Sequence, residues 1–62
     1  MERYELVYDF CDEYGNEDTN ITETMDVSGW GELQECIKMM RKNGCYNINA
    51  THLYSYEEVL GG

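Results

Sequence analysis

Sixty-two residues, 42% of them hydrophobic and 13% aromatic, suffice for one small folded domain and not for two. Thirteen Asp and Glu against four Lys and Arg leave a formal charge of −9. That balance argues against nucleic acid and anionic membrane as direct partners and favours a basic protein surface, while one Trp and six Tyr set the chain apart from disordered acidic tails.

Residues 3 to 11 alternate, with Tyr4, Leu6, Tyr8 and Phe10 on one side and Arg3, Glu5, Asp9 and Cys11 on the other. Val7 is the one apolar exception, and the pattern predicts a half-buried strand. Residues 12 to 18 then place Asp12, Glu13, Glu17 and Asp18 around Gly15-Asn16, a hairpin tip. The return strand, 19 to 27, sets Ile21, Met25 and Val27 against Asn20, Thr22, Thr24 and Asp26. Glu23 falls on the apolar side, so it stands at a rim or the register shifts there.

Ser28 is the expected N-cap of a helix whose early residues include Glu32 and Glu35 and whose last turns hold Lys38, Arg41 and Lys42, each sign matched to the helix dipole. Gly29 and Gly31 weaken the first turn and delay the start by a residue or two, and Asn43-Gly44 supplies the stop. Trp30, Leu33, Ile37 and Met40 recur at helical spacing as the buried stripe, with Cys36 beside it. Alternation resumes over 45 to 54, with Tyr46, Ile48, Ala50, His52 and Tyr54 on one side and Asn47, Asn49 and Thr51 on the other. Ser55-Tyr56-Glu57-Glu58 reads as a capping box opening a short C-terminal helical turn through Leu60, stopped by Gly61 and Gly62.

The order ββαβ predicts an α+β fold in a single domain, 1-62. A right-handed crossover gives a three-stranded antiparallel/mixed sheet of order 2-1-3, its most apolar strand central, with one helix packed on one face. The open face would carry Arg3, Glu5, Asp9, Thr22, Thr24, Asp26, Asn47, Asn49 and Thr51, with Val7 and Leu53 as apolar islands.

Chemistry is sparse. His52 has no nucleophile or acid at a readable spacing, so no catalytic residue is expected. Cys11, Cys36 and Cys45 are an odd number with no C-x-x-C pair, which suits neither a disulfide framework nor a zinc site. Ser28-Gly29-Trp30-Gly31 lacks the lysine of a phosphate loop. Counted from Asp12, Glu23 falls twelfth as in a calcium loop, but Gly15 stands fourth instead of sixth and no helices flank it. No metal and no cofactor are expected. With no apolar stretch of signal-peptide or membrane-spanning length, the expected setting is cytoplasmic, in a bacterial or host cell, where the sequons at Asn20 and Asn49 carry no meaning.

The acids carry the functional expectation. Residues 1 to 27 hold nine of the thirteen acids and one base. Side chains on one strand face recur about every 6.6 Å, close to two steps of about 3.4 Å along a DNA strand. Glu5, Asp9, Asp12, Glu13, Glu17, Asp18 and Asp26 are therefore the candidate phosphate stand-ins, with Tyr14 at the hairpin tip as aromatic anchor. Such a protein would act without turnover, by occluding a basic nucleic-acid-binding site.

In size, charge and sheet-plus-helix architecture the chain resembles the small acidic proteins that bacteriophages encode against host defences, anti-CRISPR proteins among them. The resemblance implies an inhibitor of a nucleic-acid-binding defence enzyme such as a CRISPR effector; that group shares no motif, so it carries no residue across. Gly61-Gly62 is similar to the C-terminal di-glycine of ubiquitin-like sulfur carriers, which implies an acyl-carrier role. The chain departs from those proteins in having no strand after Tyr54 to lie parallel to strand one. The third reading is a self-associating domain, a homodimer formed through an edge strand or through Trp30, although the place of Trp30 on the stripe assigns it to the core.

Overall fold

The computed structural model describes residues 1–57. The alternating and helical segments fold as β1 (Glu2–Cys11), β2 (Glu17–Val27), α1 (Trp30–Lys42) and β3 (Cys45–Ser55). The sheet order is β2-β1-β3, with both outer strands antiparallel to β1. This is the expected α+β arrangement. Ser55, the expected cap of the C-terminal turn, instead closes β3 with its hydroxyl on the Glu2 carboxylate, and Tyr56 and Glu57 are not helical; the rest of that turn, with Gly61-Gly62, lies outside the described residues.

Period-two residues of β1 and period-3.6 residues of α1 meet in one core. Tyr4, Leu6, Val27, Leu33 and Ile37 are buried, with Tyr8, Met25, Cys36, Met40, Ile48 and Ala50 packed around them. Leu6 on the central strand and Leu33 on the helix lose all solvent contact. Glu23 pairs with Leu6 but stays exposed at the rim, beside the Tyr8 hydroxyl, whose pKa is raised by burial and then by the Glu23 carboxylate.

Two expectations about the helix are corrected. Its N-cap is Gly29, in extended backbone and with no side-chain cap; Ser28 instead donates its backbone N–H to the Glu32 carboxylate. The intervening residue moves Ser28 too far from the first turn to cap it. Trp30 is 62% exposed and not core. At the first helical position its side chain leans back toward the end of the core, as helical side chains tilt toward the N-terminus, and its ring lies tilted to that of Tyr4, centroids 6.4 Å apart.

Three register shifts change which residues share a face. In β2, Ile21 faces Tyr8 while Asp18 faces Phe10, leaving one extra residue where Asn20 adopts φ 55°. In β3, Asn49 faces Val7 while Tyr46 faces Asp9, with Asn47 at φ 52°. A third shift sets His52 opposite Tyr4 and Tyr54 opposite Arg3, so Leu53 is the extra residue. Each added residue flips the alternation beyond it. Tyr46 and Tyr54, expected on the helix side with Ile48, therefore project from the uncovered face beside Asp9 and Arg3.

The turns are closed by local chemistry. Asp12 Oδ1 accepts from the backbone N–H of Tyr14 (2.9 Å) and Asn16 (2.8 Å), and Oδ2 from Asn16 Nδ2 (3.1 Å). These bonds hold the Asp12 carboxyl below its ordinary pKa. At the far end of α1, Gly44 takes φ 101° and accepts from Cys11 N–H at 3.0 Å, tying the start of β3 to the end of β1.

Candidate functional site

The uncovered face is built on the odd-numbered residues of β1. At one end Arg3 grips Asp26 with two parallel bonds, Nε to Oδ1 at 2.6 Å and Nη2 to Oδ2 at 2.8 Å. Its third nitrogen donates to the Tyr54 hydroxyl, and the guanidinium lies 5.3 Å from the Tyr54 ring centre and 5.6 Å from that of Tyr56. The Arg3 hydrogen bonds bring the Asp26 carboxyl down to about 2, and hydrogen bonding to Asp26 raises the Tyr56 hydroxyl. Arg3 is the only base among residues 1 to 37. It is spent inside the protein.

At the other end Asp9 joins two bulges. Its Oδ1 accepts from the backbone N–H of Asn20 and its Oδ2 from Asn47 Nδ2, both at 2.9 Å. These two bonds, the Asn47 one first, lower its pKa. Beside it the Tyr46 hydroxyl donates to Glu17 Oε1 at 2.7 Å, which pushes that tyrosine up to about 12. Between the two ends lie Glu5, opposite Thr24 and Thr51, and Val7, opposite Thr22 and Asn49.

The eight residues singled out from sequence thus separate into two groups. Asp9, Asp12, Glu17 and Asp26 hold the frame through bonds within the chain. Glu13 and Tyr14 stand exposed on the hairpin, Tyr14 at 83%; Asp18, exposed at the start of β2, faces Phe10 and so projects to the helix side, and Glu5 is half-buried on the open face. The ion pairs among the described residues are Arg3–Asp26 and His52–Glu2, so no base neutralises the hairpin acids.

One cluster escaped the sequence reading. Antiparallel pairing of β1 and β3 brings Glu2 to His52, Oε2 to Nε2 at 2.7 Å, and the Ser55 hydroxyl donates to the same carboxylate oxygen. These bonds, that of Ser55 first, lower the Glu2 pKa, and the Tyr4 ring lies edge-on to His52 at 5.1 Å. A serine relay needs the acid and the hydroxyl on opposite ring nitrogens. Here His52 Nε2 faces both, with Ser55 Oγ at 3.4 Å, and the serine donates straight to the carboxylate. The arrangement clamps two strand ends together. No local signal marks it, because Glu2 and His52 stand fifty residues apart.

The remaining chemistry-bearing side chains are scattered. Cys11, Cys36 and Cys45 are free and half-buried, and burial raises the Cys45 thiol. Among the described residues no three His, Cys, Asp or Glu side chains converge as metal ligands, and no helix is long and apolar enough to cross a membrane. A shallow open groove runs along the start of β3, between Arg41 and Cys45, Tyr46, Asn47, Ile48 and Asn49. No protein-family model, curated protein or solved structure matches this chain.

Proposed function

We propose that this protein is a stoichiometric inhibitor, which places its hairpin and uncovered sheet face in a basic nucleic-acid-binding site of another protein. The observation that carries the reading is that, among the described residues, no hairpin acid is ion-paired, although the basic last turn of α1 ends beside Cys11. Arg3 is locked to Asp26, and no Lys or Arg follows until Lys38. The hairpin acids, unpaired, remain available to a cationic groove.

Glu13 and Asp18 on the hairpin and Glu5 on the sheet make the contacts, with Tyr14 as the anchor at the tip. Asp9, Asp12 and Glu17 add to the field while holding the backbone, whereas Asp26 is neutralised by Arg3. A frame already fixed by hydrogen bonds loses little freedom on binding. The natural target is a nucleic-acid enzyme of the bacterial cytosol, of which a CRISPR effector is one case, and the phage-encoded anti-defence proteins are the nearest functional analogy.

Tagged full-length protein, exposed to bacterial lysate at low salt and eluted with rising salt, tests this. A basic nucleic-acid-binding enzyme should leave in the salt-sensitive fraction and lose substrate binding at one equivalent of inhibitor. Recovery of an adenylating or sulfur-transfer enzyme instead would refute the proposal. So would a complex indifferent to both salt and the triple substitution Glu5→Gln, Glu13→Gln, Asp18→Asn.

A further inference from the structure

The two edges of the sheet differ in charge. β2 carries Glu17, Asp18, Glu23 and Asp26, whereas the eleven residues of β3, Cys45 to Ser55, include no Asp, Glu, Lys or Arg. A sheet edge presents unpaired N–H and C=O groups, and charged side chains are a common protection against pairing with another chain. β2 has that protection and β3 does not. Among the described residues nothing pairs with the outer side of β3.

The bulges at Asn47 and Leu53 distort the two ends of β3. Between them Asn49, Ala50, Thr51 and His52 face Val7, Leu6, Glu5 and Tyr4 in unbroken register. These four residues make a short regular edge, within the ordinary range of strand lengths, with Ile48 beside it at the bulge.

We propose that this edge is a homodimer interface, in which β3 pairs antiparallel with β3 of a second copy about a twofold axis at Ala50. Side chains that face each other across a pair lie on the same side of the sheet. Ala50 then meets Ala50 of the second copy, Asn49 meets Thr51, and Ile48 meets His52. The result is a continuous six-stranded sheet with both helices on one face. The small Ala50 pair permits close approach, and Asn49 with Thr51 supplies a polar pair on the uncovered face.

Charge restricts a second copy to this edge. Two chains of −9 repel one another, and β2 or the hairpin would bring acid against acid. β3 is the described strand along which a copy approaches without like charges in contact. The dimer is separate from the inhibitor reading, and salt acts on the two in opposite directions. Screening strengthens contact between like-charged copies and weakens contact with a basic target.

Sedimentation equilibrium of the full chain over a concentration series, at low and high salt, tests the interface. The mass should double from 7.3 kDa, with tighter association at high salt. Asn49→Asp with Thr51→Asp sets Asp against Asp twice across the axis and should weaken the dimer at least tenfold; the matching pair of Lys substitutions should do the same. Both sites are exposed and face away from the helix, so circular dichroism should keep the native spectrum, and the Lys pair, which adds no repulsion to the Glu5 opposite Thr51, controls for any loss of fold in the Asp pair. An equimolar mixture of the Asp and Lys variants should restore dimers. A wild-type monomer at every concentration and salt level, a dimer untouched by these substitutions, or no rescue on mixing would each overturn the interface.

Discussion

Replacing Gly44 by Ala should remove a large part of the stability of this domain, and Gly15→Ala measures how much of that is backbone conformation alone. Both glycines have positive φ, 101° and 85°. Around Gly15 a new Cβ meets nothing within 4 Å, so its substitution reports only the cost of that conformation, about 1–2 kcal/mol. At Gly44 the Cβ would stand 2.4 Å from the Cys11 carbonyl oxygen and 3.3 Å from Phe10 Cε2. Relief needs the start of β3 to retreat from β1 by about 1 Å, since carbon contacts settle near 3.5 Å. That displacement strains the Cys11 N–H to Gly44 carbonyl bond, worth about 1–3 kcal/mol more if its groups are left unpaired. The sum is about 2–5 kcal/mol. A chain of 62 residues has roughly 3–9 kcal/mol in total, at 0.05–0.15 per residue. Urea unfolding followed by circular dichroism would read both variants. Equal losses at Gly15 and Gly44 would refute the close approach of β3 to Cys11.

Glu5→Gln, Glu13→Gln and Asp18→Asn together should slow association with the target about tenfold or more at low salt and leave the melting temperature unchanged, read by surface binding kinetics and calorimetry. Asp12→Ser should loosen the hairpin itself, visible as faster amide exchange at Tyr14 and Asn16, because the Asp12 carboxylate accepts from both. Acid should destabilise the fold. Asp26 is depressed from 3.8 to about 2, so its contribution is complete above the higher value and disappears as pH falls through the lower one, and Asp26→Asn should flatten that part of the stability profile. Tyr46 has the opposite sign. Raised from 10.0 to about 12, its contribution is complete below the first value and is lost as pH rises through the second; tyrosinate absorbance should show a late-titrating group that Glu17→Gln brings down. Leu33→Ala should cost about 2–5 kcal/mol in urea unfolding, whereas Trp30→Ala should cost less than half of that, and Trp30 fluorescence should have the emission of a solvated indole.

The order of elements, the sheet order 2-1-3, the covering helix and the acidic hairpin were all legible in the sequence. Each rests on short-range physics, namely period-two alternation, a 3.6-residue stripe, turn residues and the handedness of a crossover. What tertiary structure decided is which side chains meet. Tyr46 and Tyr54 alternate with Ile48 in sequence, yet single extra residues near Asn47 and at Leu53 carry both to the other face. Asn at mid-strand, as at positions 20 and 47, was the available hint, since it tolerates positive φ better than most residues. The neutralisation of Arg3 by Asp26, the bond from Asp9 to both bulges, and the meeting of Glu2 with His52 depend on pairings between residues 11 to 50 positions apart. The exposure of Trp30 depends likewise on where the core ends. A sequence period fixes a face only while the register holds, and the register is set by the neighbouring strand.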